Sequence, residues 1–156
     1  MCYHLPMNSK YHKLHTSFLA KVLIKHEDTF LLLKDINSDQ LNPRAGWETV
    51  GGHLEKDEDF EMALKREILE ETGLNNVTIL FPFHTFLFYP DTEKSLGGVV
   101  YLASVENKDV VLDMKEHSEA RWCTLSEIDQ MTESRGTQIE FSAYKSFLDI
   151  LANNSL

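Results

Sequence analysis

Cysteine is scarce in this chain of 156 residues, and a long apolar run is missing altogether. Cys2 and Cys123 lie far apart in unlike contexts, so neither a disulfide framework nor a cysteine metal cluster is expected. No stretch approaches the roughly 18 apolar residues of a membrane span. The N-terminus also lacks the apolar core of a signal peptide. These absences predict a cytoplasmic protein that does not enter a membrane.

Positive charge is also in short supply, with 15 lysines and arginines against 25 acidic residues and a formal net charge of −10. An acidic surface repels phosphate backbones, which argues against a nucleic-acid partner. A small phosphorylated ligand stays compatible with this charge, because bound cations can reverse the local field inside a site. The expected partner is therefore a small molecule, and the sequence leaves monomer and homodimer open.

The chain has no internal repeat, low-complexity tract or flexible linker, which predicts one compact domain over residues 17–156. Residues 1–16 mix lysines and histidines with few apolar residues, so we expect a mobile N-terminal extension. Predicted strands cover residues 17–25, 29–34, 48–54, 77–89, 98–105 and 121–124. Predicted helices cover residues 57–72, 125–131 and 139–152, the last with its apolar face at Ile139, Ala143, Phe147 and Ile150/Leu151. This α/β pattern predicts a mixed β-sheet covered by helices on both faces.

The central predicted helix carries an unusual number of acidic residues on its inner side. At about 100° per residue, one arc contains its apolar residues Phe60, Ala63, Leu64 and Ile68. Glu67, Glu70 and Glu71 fall on that arc or at its edge, where they repel one another and lose hydration. They also crowd the C-terminal half of the helix, where the helix dipole disfavours negative charge. A hard divalent cation such as Mg²⁺ or Mn²⁺ would balance this cluster.

An ordinary surface helix is the alternative interpretation of the same residues. On that interpretation the glutamates pair with Arg66 and nearby lysines, as i,i+4 partners commonly do. One guanidinium cannot neutralise three carboxylates, and no other basic residue lies on the arc. The helical geometry alone leaves the two interpretations even.

Residues 52–74 read GHLEKDEDFEMALKREILEETGL. This segment resembles the signature of the Nudix hydrolase family, G-x5-E-x7-R-E-U-x-E-E-x-G-U, in which U is a bulky aliphatic residue. The matching positions are Gly52, Glu58, Arg66, Glu67, Ile68, Glu70, Glu71, Gly73 and Leu74. The resemblance implies the Nudix fold, an α/β/α sandwich with a mixed sheet. It also implies divalent-metal-dependent hydrolysis of a phosphoanhydride bond in a nucleoside diphosphate linked to another moiety, with Mg²⁺ or Mn²⁺ as cofactor.

The resemblance assigns roles to individual residues of this segment. The family's metal-binding positions are matched by Glu67, Glu70, Glu71 and the backbone carbonyl of Gly51. Arg66 matches the arginine that orients a glutamate of the signature, a supporting role at metal sites. Glu58 matches a glutamate with a structural or secondary role near the metal.

Hydrolysis also needs a carboxylate that takes the proton from the attacking water. In the family this base is either a signature glutamate or a glutamate on a later loop. Glu67 is the first candidate here, and Glu116 and Glu119 are the rivals. A polar loop also carries such residues for solubility, which is the alternative interpretation of Glu116.

Two residues ahead of the signature are candidates for substrate binding. Trp47 is able to stack on a base or sugar, although a partly buried core aromatic explains it equally well. Arg44 is able to meet a terminal phosphate, and a solvated loop arginine is its alternative interpretation.

The substrate remains a choice between related classes. Residues 47–54 look like the entry to MutT-type enzymes, which favours a nucleoside triphosphate pyrophosphohydrolase, although Val50 stands where those enzymes more often have proline. Pro90 favours the alternative of an ADP-ribose or other nucleoside diphosphate sugar pyrophosphatase. A catalytically silent Nudix module that binds a nucleotide or a protein is a further alternative. Such modules usually lose signature carboxylates, and none is lost here.

Overall fold

A computed structural model of the protein describes residues 15–36, 46–89, 94–130 and 135–154. The first strand begins at His15, so the last two residues of the predicted extension belong to the sheet. The rest of that extension, residues 1–14, lies outside the described residues.

Within the described residues, six strands form one mixed sheet. They are β1 (His15–His26), β2 (Thr29–Asp35), β3 (Trp47–Glu48), β4 (Thr78–Phe88), β5 (Lys94–Ser104) and β6 (His117–Thr124). The order across the sheet is β3-β2-β1-β5-β4. β1 and β3 pair with the same edge of β2, and β6 pairs with the opposite edge. β1 and β5 run parallel, and the remaining pairs are antiparallel. β1 and β2 form a hairpin, with Glu27 in its turn at φ 53°.

The described part of the chain also contains three helices: α1 (Phe60–Thr72), α2 (Leu125–Ile128) and α3 (Arg135–Asn154). α1 begins later than residue 57 because the side chain of Asp59 caps it by accepting the N–H of Met62. Gly73 follows the last residue of α1 in the left-handed conformation, and its N–H donates to the carbonyl of Leu69, so the helix ends at Thr72 as predicted. None of the helices within the described ranges is long and apolar enough to cross a membrane.

The sheet has a separate apolar core on each face. On one face, α1 contributes Ala63, Leu64 and Ile68, which pack against Ala20, Val22, Ile24, Leu31 and Leu33. On the other face, α2 and α3 contribute Ile128, Phe141 and Tyr144, which pack against Leu23, Phe30, Leu32, Val100 and Leu102. Neighbouring strand residues alternate between the two cores, as the pleat requires. The predicted α/β/α sandwich is confirmed.

The buried face of α3 differs from the predicted one. Ile139, Ile150 and Leu151 are exposed, although their spacing predicted that they face the core. The residues that α3 buries are Thr137, Glu140, Phe141 and Tyr144. Ala143 and Phe147 are partly buried, as predicted, but the prediction was wrong for the other three residues because two polar residues occupy inward positions that a hydrophobic pattern cannot register.

Candidate active site

The chain between β3 and α1 does not form the continuous strand predicted over residues 48–54. β3 ends at Glu48, and only single bridges follow, from Val50 to Val22 and from His53 to Leu19. Between them the backbone takes a positive φ of 127° at Gly51, which a regular strand cannot contain. The result is an irregular extended segment, residues 49–53, that is hydrogen-bonded to β1 and directed toward α1, and it is called the glycine turn below.

Two glycines allow this turn to approach its neighbours. A Cβ on Gly51 would lie 2.1 Å from the carbonyl oxygen of Ala20. A Cβ on Gly52 would lie 2.3 Å from Oε1 of Glu67. The N–H of Gly51 donates to Oε2 of Glu71 at 3.1 Å. The turn therefore touches two of the signature glutamates, and it needs glycine to do so.

Arg66 is the hub of an ion-pair network on α1. Its Nε and Nη2 donate to the two carboxylate oxygens of Glu58, at 2.8 and 3.0 Å. Its Nη1 donates to Glu67 at 2.8 Å and to Glu70 at 3.2 Å. Nη2 also donates to the carbonyl of His53 at 3.0 Å. The hydrogen bonds from Arg66 lower the pKa of Glu58 to about 2.

The surface-helix interpretation therefore holds in part, because Arg66 does pair with Glu67 and Glu70. Glu70 lies at the exposed edge of the predicted arc, and Glu67 is half-buried. Glu71 stands apart from these pairs, with only 7% of its surface exposed. Burial raises the pKa of Glu71 to about 7, and the charge of Lys21 and the N–H of Gly51 only partly oppose that rise. A buried carboxylate of this kind is stabilised by a nearby cation.

Lys21 of β1 contacts the turn, and Thr49 links the turn to α3 on the opposite face of the sheet. The Nζ of Lys21 donates to the carbonyls of Thr49 at 2.6 Å and Gly51 at 3.0 Å, and it lies 3.5 Å from Glu48. Thr49 in turn donates its hydroxyl to Glu140 of α3 at 2.6 Å. A carbonyl oxygen has two lone pairs, so Gly51 is able to accept from Lys21 and still act as a metal ligand.

His117 and Glu116 bring the start of β6 to the same place. A ring nitrogen of His117 and one carboxylate oxygen each of Glu71 and Glu116 lie within 4.8 Å of one another. His117 is buried, and its Nε2 lies 3.5 Å from Oε1 of Glu48. Burial lowers the pKa of His117, but the contact with Glu48 and the charge of Glu71 outweigh that effect and leave the pKa raised. Glu119, the rival of Glu116 as base, pairs with Arg121 at 3.0 Å instead.

These elements enclose one cleft of about 870 Å³. Its lining residues are Asp35, Glu48, Gly51, Gly52, His53, Glu55, Arg66, Glu67, Glu70, Glu71, Asp113, Lys115, Glu116 and His117. Eight of these side chains are carboxylates, and only Arg66 and Lys115 among them are lysine or arginine. A phosphate chain is repelled by such a field unless divalent cations first occupy the cleft.

The cleft collects six of the residues singled out from the sequence: Gly51, Arg66, Glu67, Glu70, Glu71 and Glu116. Trp47 is placed elsewhere, in the packing between the sheet and α3, with the Arg121 guanidinium 4.7 Å from its ring centroid. This position matches the alternative of a partly buried core aromatic. Arg44 and Pro90 lie outside the described residues.

Sequence reasoning missed several residues that line the cleft, above all Glu48 and His117. Glu48 precedes the turn, where it looks like one more polar residue of a short strand. His117 follows Glu116 directly, and a histidine beside a candidate acidic ligand is the signal that could have identified it. Their meeting depends on the pairing of β2 with both β3 and β6, which no local pattern reveals.

The described residues form an α/β/α sandwich with an acidic cleft beside α1. The family model for the NUDIX domain matches residues 13–144. The chain therefore belongs to the Nudix hydrolase family, as the resemblance of residues 52–74 implied.

Relatives within the family differ in the substrates that their names state. The asymmetrical bis(5′-nucleosyl)-tetraphosphatase of Caenorhabditis elegans is 32% identical over 87 residues, which cover 54% of this chain and 63% of that protein. The NAD-capped RNA hydrolase NudC of Salmonella schwarzengrund (strain CVM19633) is 29% identical over 102 residues, covering 65% of this chain and 36% of that protein. The chain thus spans less than two thirds of either relative. The MutT protein of Methanosarcina mazei Go1 is similar in structure, with a TM-score of 0.69, 27% identity and coverage of 86% of this chain and 96% of that one.

Proposed function

We propose that this protein hydrolyses a phosphoanhydride bond of a nucleoside 5′-polyphosphate, with divalent cations held in the acidic cleft. The observation that carries the proposal is the concentration of eight carboxylates in one cleft, one of them the buried Glu71. Cation binding lowers the free energy of such a cleft, and a polyphosphate substrate requires cations for binding and cleavage.

The cation ligands are the carboxylates of Glu67, Glu70 and Glu71 and the carbonyl of Gly51. This oxygen donor set suits Mg²⁺ or Mn²⁺. A cation bound there supplies charge neutralisation and lowers the pKa of a coordinated water. Arg66 holds Glu67 in place by the 2.8 Å contact to Oε1, so the arginine positions a ligand and does not itself bind phosphate.

Glu67 is the general base in this proposal, and Glu116 is its rival inside the cleft. The absence of a side chain at Gly52 leaves room for the Glu67 carboxylate beside the turn. Turnover at saturating Mg²⁺ separates the two candidates. Glu67→Gln is expected to lower kcat at least about a hundredfold, the scale of a lost general base, and Glu116→Gln is expected to lower it less than about tenfold.

A free nucleoside triphosphate is the favoured substrate. Residues 47–54 resemble the corresponding segment of MutT-type enzymes, and the M. mazei MutT protein is similar over most of its length. NudC is named for an RNA substrate, but a net charge of −10 disfavours a long phosphate backbone on this chain. The tetraphosphatase relative makes dinucleoside polyphosphates the second class to examine.

A substrate panel tests the proposal. Nucleoside triphosphates, oxidised nucleotides, dinucleoside polyphosphates, ADP-ribose and other nucleotide sugars, and a 5′-triphosphorylated RNA are incubated with Mg²⁺ or Mn²⁺, and the products are separated. We expect the highest kcat/KM for a free triphosphate. Glu67→Gln protein purified in the same way serves as the control for contaminating phosphatases. Selective cleavage of ADP-ribose would establish the alternative, and no cleavage of any compound would indicate a silent module.

A further inference from the structure

A buried histidine lies among the carboxylates of the cleft. His117 is the first residue of β6, and its side chain is only 4% exposed. The turn before it is held by hydrogen bonds from the N–H groups of Glu116 and His117 to the carbonyl of Asp113, at 3.3 and 3.0 Å. The irregular register between β2 and β6 falls at this point, where Asp35 pairs with His117. The backbone thus carries the imidazole into the cleft.

The two ring nitrogens of His117 have different surroundings. Nε2 lies 3.5 Å from Oε1 of Glu48. Nδ1 is fully buried and has no hydrogen-bond partner among the residues that the structure describes. An ion pair with Glu48 alone explains the first nitrogen and leaves the second without a function. Buried polar atoms in folded proteins nearly always have a partner, so this atom requires an explanation.

The surroundings of the imidazole supply one. A ring nitrogen of His117 lies within 4.8 Å of ligand oxygens of both Glu71 and Glu116. One cation contacts three such atoms if the side chains move by fractions of an ångström to about an ångström. Metal-bound histidines also commonly have a carboxylate at the other ring nitrogen, which fixes the orientation of the ring. With Nδ1 directed to the cation, Glu48 at Nε2 stands in that position.

We propose that His117 is a metal ligand of this protein, and that a divalent transition-metal ion is bound by its imidazole together with Glu71 and Glu116. Glu48 is then the residue that positions the ring. The proposal rests on the function proposed above, because it concerns the same cleft, and it adds a nitrogen donor to the oxygen ligands. An imidazole favours ions such as Mn²⁺ and Co²⁺ over Mg²⁺, so the protein should prefer the transition metal.

Pulsed electron paramagnetic resonance of the full-length protein with Mn²⁺ alone tests the proposal directly. Directly bound imidazole nitrogen modulates the Mn²⁺ spin echo, and we expect this ¹⁴N modulation in the wild-type protein. It should vanish in His117→Gln and persist in His53→Gln, which changes an exposed histidine of the same cleft. Modulation that is missing from the wild type, that survives in His117→Gln, or that is lost in His53→Gln would overturn the proposal.

A second measurement covers the case in which His117→Gln does not fold. Wild-type protein labelled with ¹⁵N only in histidine should replace the ¹⁴N pattern by the ¹⁵N pattern, and an unchanged pattern would overturn the proposal. Competition between Mn²⁺ and Mg²⁺ should show a preference for Mn²⁺ that falls at least about tenfold in Glu48→Gln, the usual scale for a residue that orients a ligand. An unchanged preference would contradict the role of Glu48.

These outcomes are distinct from failure of the proposed function. Nitrogen coupling needs no substrate, so its presence in a protein that cleaves no nucleotide would leave the ligand assignment and remove the hydrolase proposal. Hydrolysis without nitrogen coupling would leave the hydrolase proposal and remove the ligand assignment.

Discussion

The backbone N–H of Gly51 donates a 3.1 Å hydrogen bond to Oε2 of the buried residue Glu71. The bond joins the glycine turn to the end of α1, and it partly offsets the burial of the charge. The offset is incomplete, because the pKa of Glu71 is still raised to about 7. The metal-free protein therefore holds a carboxylate whose ionisation destabilises the fold.

Replacing Glu71 by glutamine should leave the metal-free protein as stable as the wild type or make it more stable. Glutamine retains an oxygen that accepts from Gly51 and removes the buried charge near the negative end of a helix, a relief on the order of a kcal/mol. Melting temperatures in chelator and then in Mg²⁺ are the measurement. The variant should also gain less than the wild type from Mg²⁺. A variant that melts clearly lower in chelator would identify Glu71 as mainly a partner of Lys21.

The pH dependence of stability in chelator follows from the same raised pKa. The folded-state pKa of Glu71, about 7, exceeds the ordinary value of 4.5, so the stability that its protonated form contributes is complete below about pH 4.5 and is lost as pH rises through 7. The advantage of Glu71→Gln should therefore grow between pH 5 and 8, toward an upper limit of roughly 3 kcal/mol. Denaturant unfolding of both proteins at several pH values checks this. An advantage that is constant with pH would refute the raised pKa.

Alanine should affect mainly catalysis at one of the adjacent glycines and mainly stability at the other. At Gly52 the new Cβ meets the flexible end of Glu67, so Gly52→Ala should change the unfolding free energy by less than about 1 kcal/mol. It should still lower kcat more than about tenfold by displacing the carboxylate. At Gly51 the Cβ overlaps the backbone of Ala20 at a positive φ, so Gly51→Ala should cost more than about 3 kcal/mol. Equal stability losses would contradict this description of the turn.

Arg66→Lys should weaken metal binding although it keeps the positive charge. A lysine ammonium cannot reproduce the fork that reaches Glu58, Glu67 and Glu70 together. We expect the Kd for Mg²⁺, measured by calorimetry, to rise about ten- to a hundredfold. Lys65→Arg on the exposed side of the same helix is the matched control and should leave this Kd unchanged. A normal Kd in Arg66→Lys would remove the positioning role.

Local rules were enough to predict α1 and its C-terminal end, whereas its start was predicted three residues too early. Alternating and helical apolar patterns identified the other elements, and the Nudix resemblance identified the glutamates that meet in the cleft. Gly73 ends the helix by a hydrogen bond within a few residues, which a sequence pattern reports directly, whereas the cap at Asp59 lies within a run of acidic residues that leaves the exact start open.

Contacts between distant residues were beyond such rules. Glu140 is buried because it accepts from Thr49, 91 residues away, and this single bond helps to place the inner face of α3 where apolar periodicity did not. The apolar pattern of β1 did not identify Lys21 as a site residue, yet its ammonium contacts two carbonyls of the turn. The pairing of His117 with Glu48 depends on three strands meeting and has no signature in either segment.

Metal-dependent hydrolysis by the signature glutamates is tested most directly by comparing Glu70→Gln with Glu61→Gln. Glu70 lines the cleft, whereas Glu61 lies on the exposed side of α1 beside Lys65. Initial rates of nucleoside triphosphate hydrolysis are measured in Mg²⁺ and again in excess chelator. We predict that Glu70→Gln lowers the rate more than about tenfold, that Glu61→Gln matches the wild type, and that chelator abolishes activity. Full activity in chelator, or equal rates for the two variants, would contradict the account.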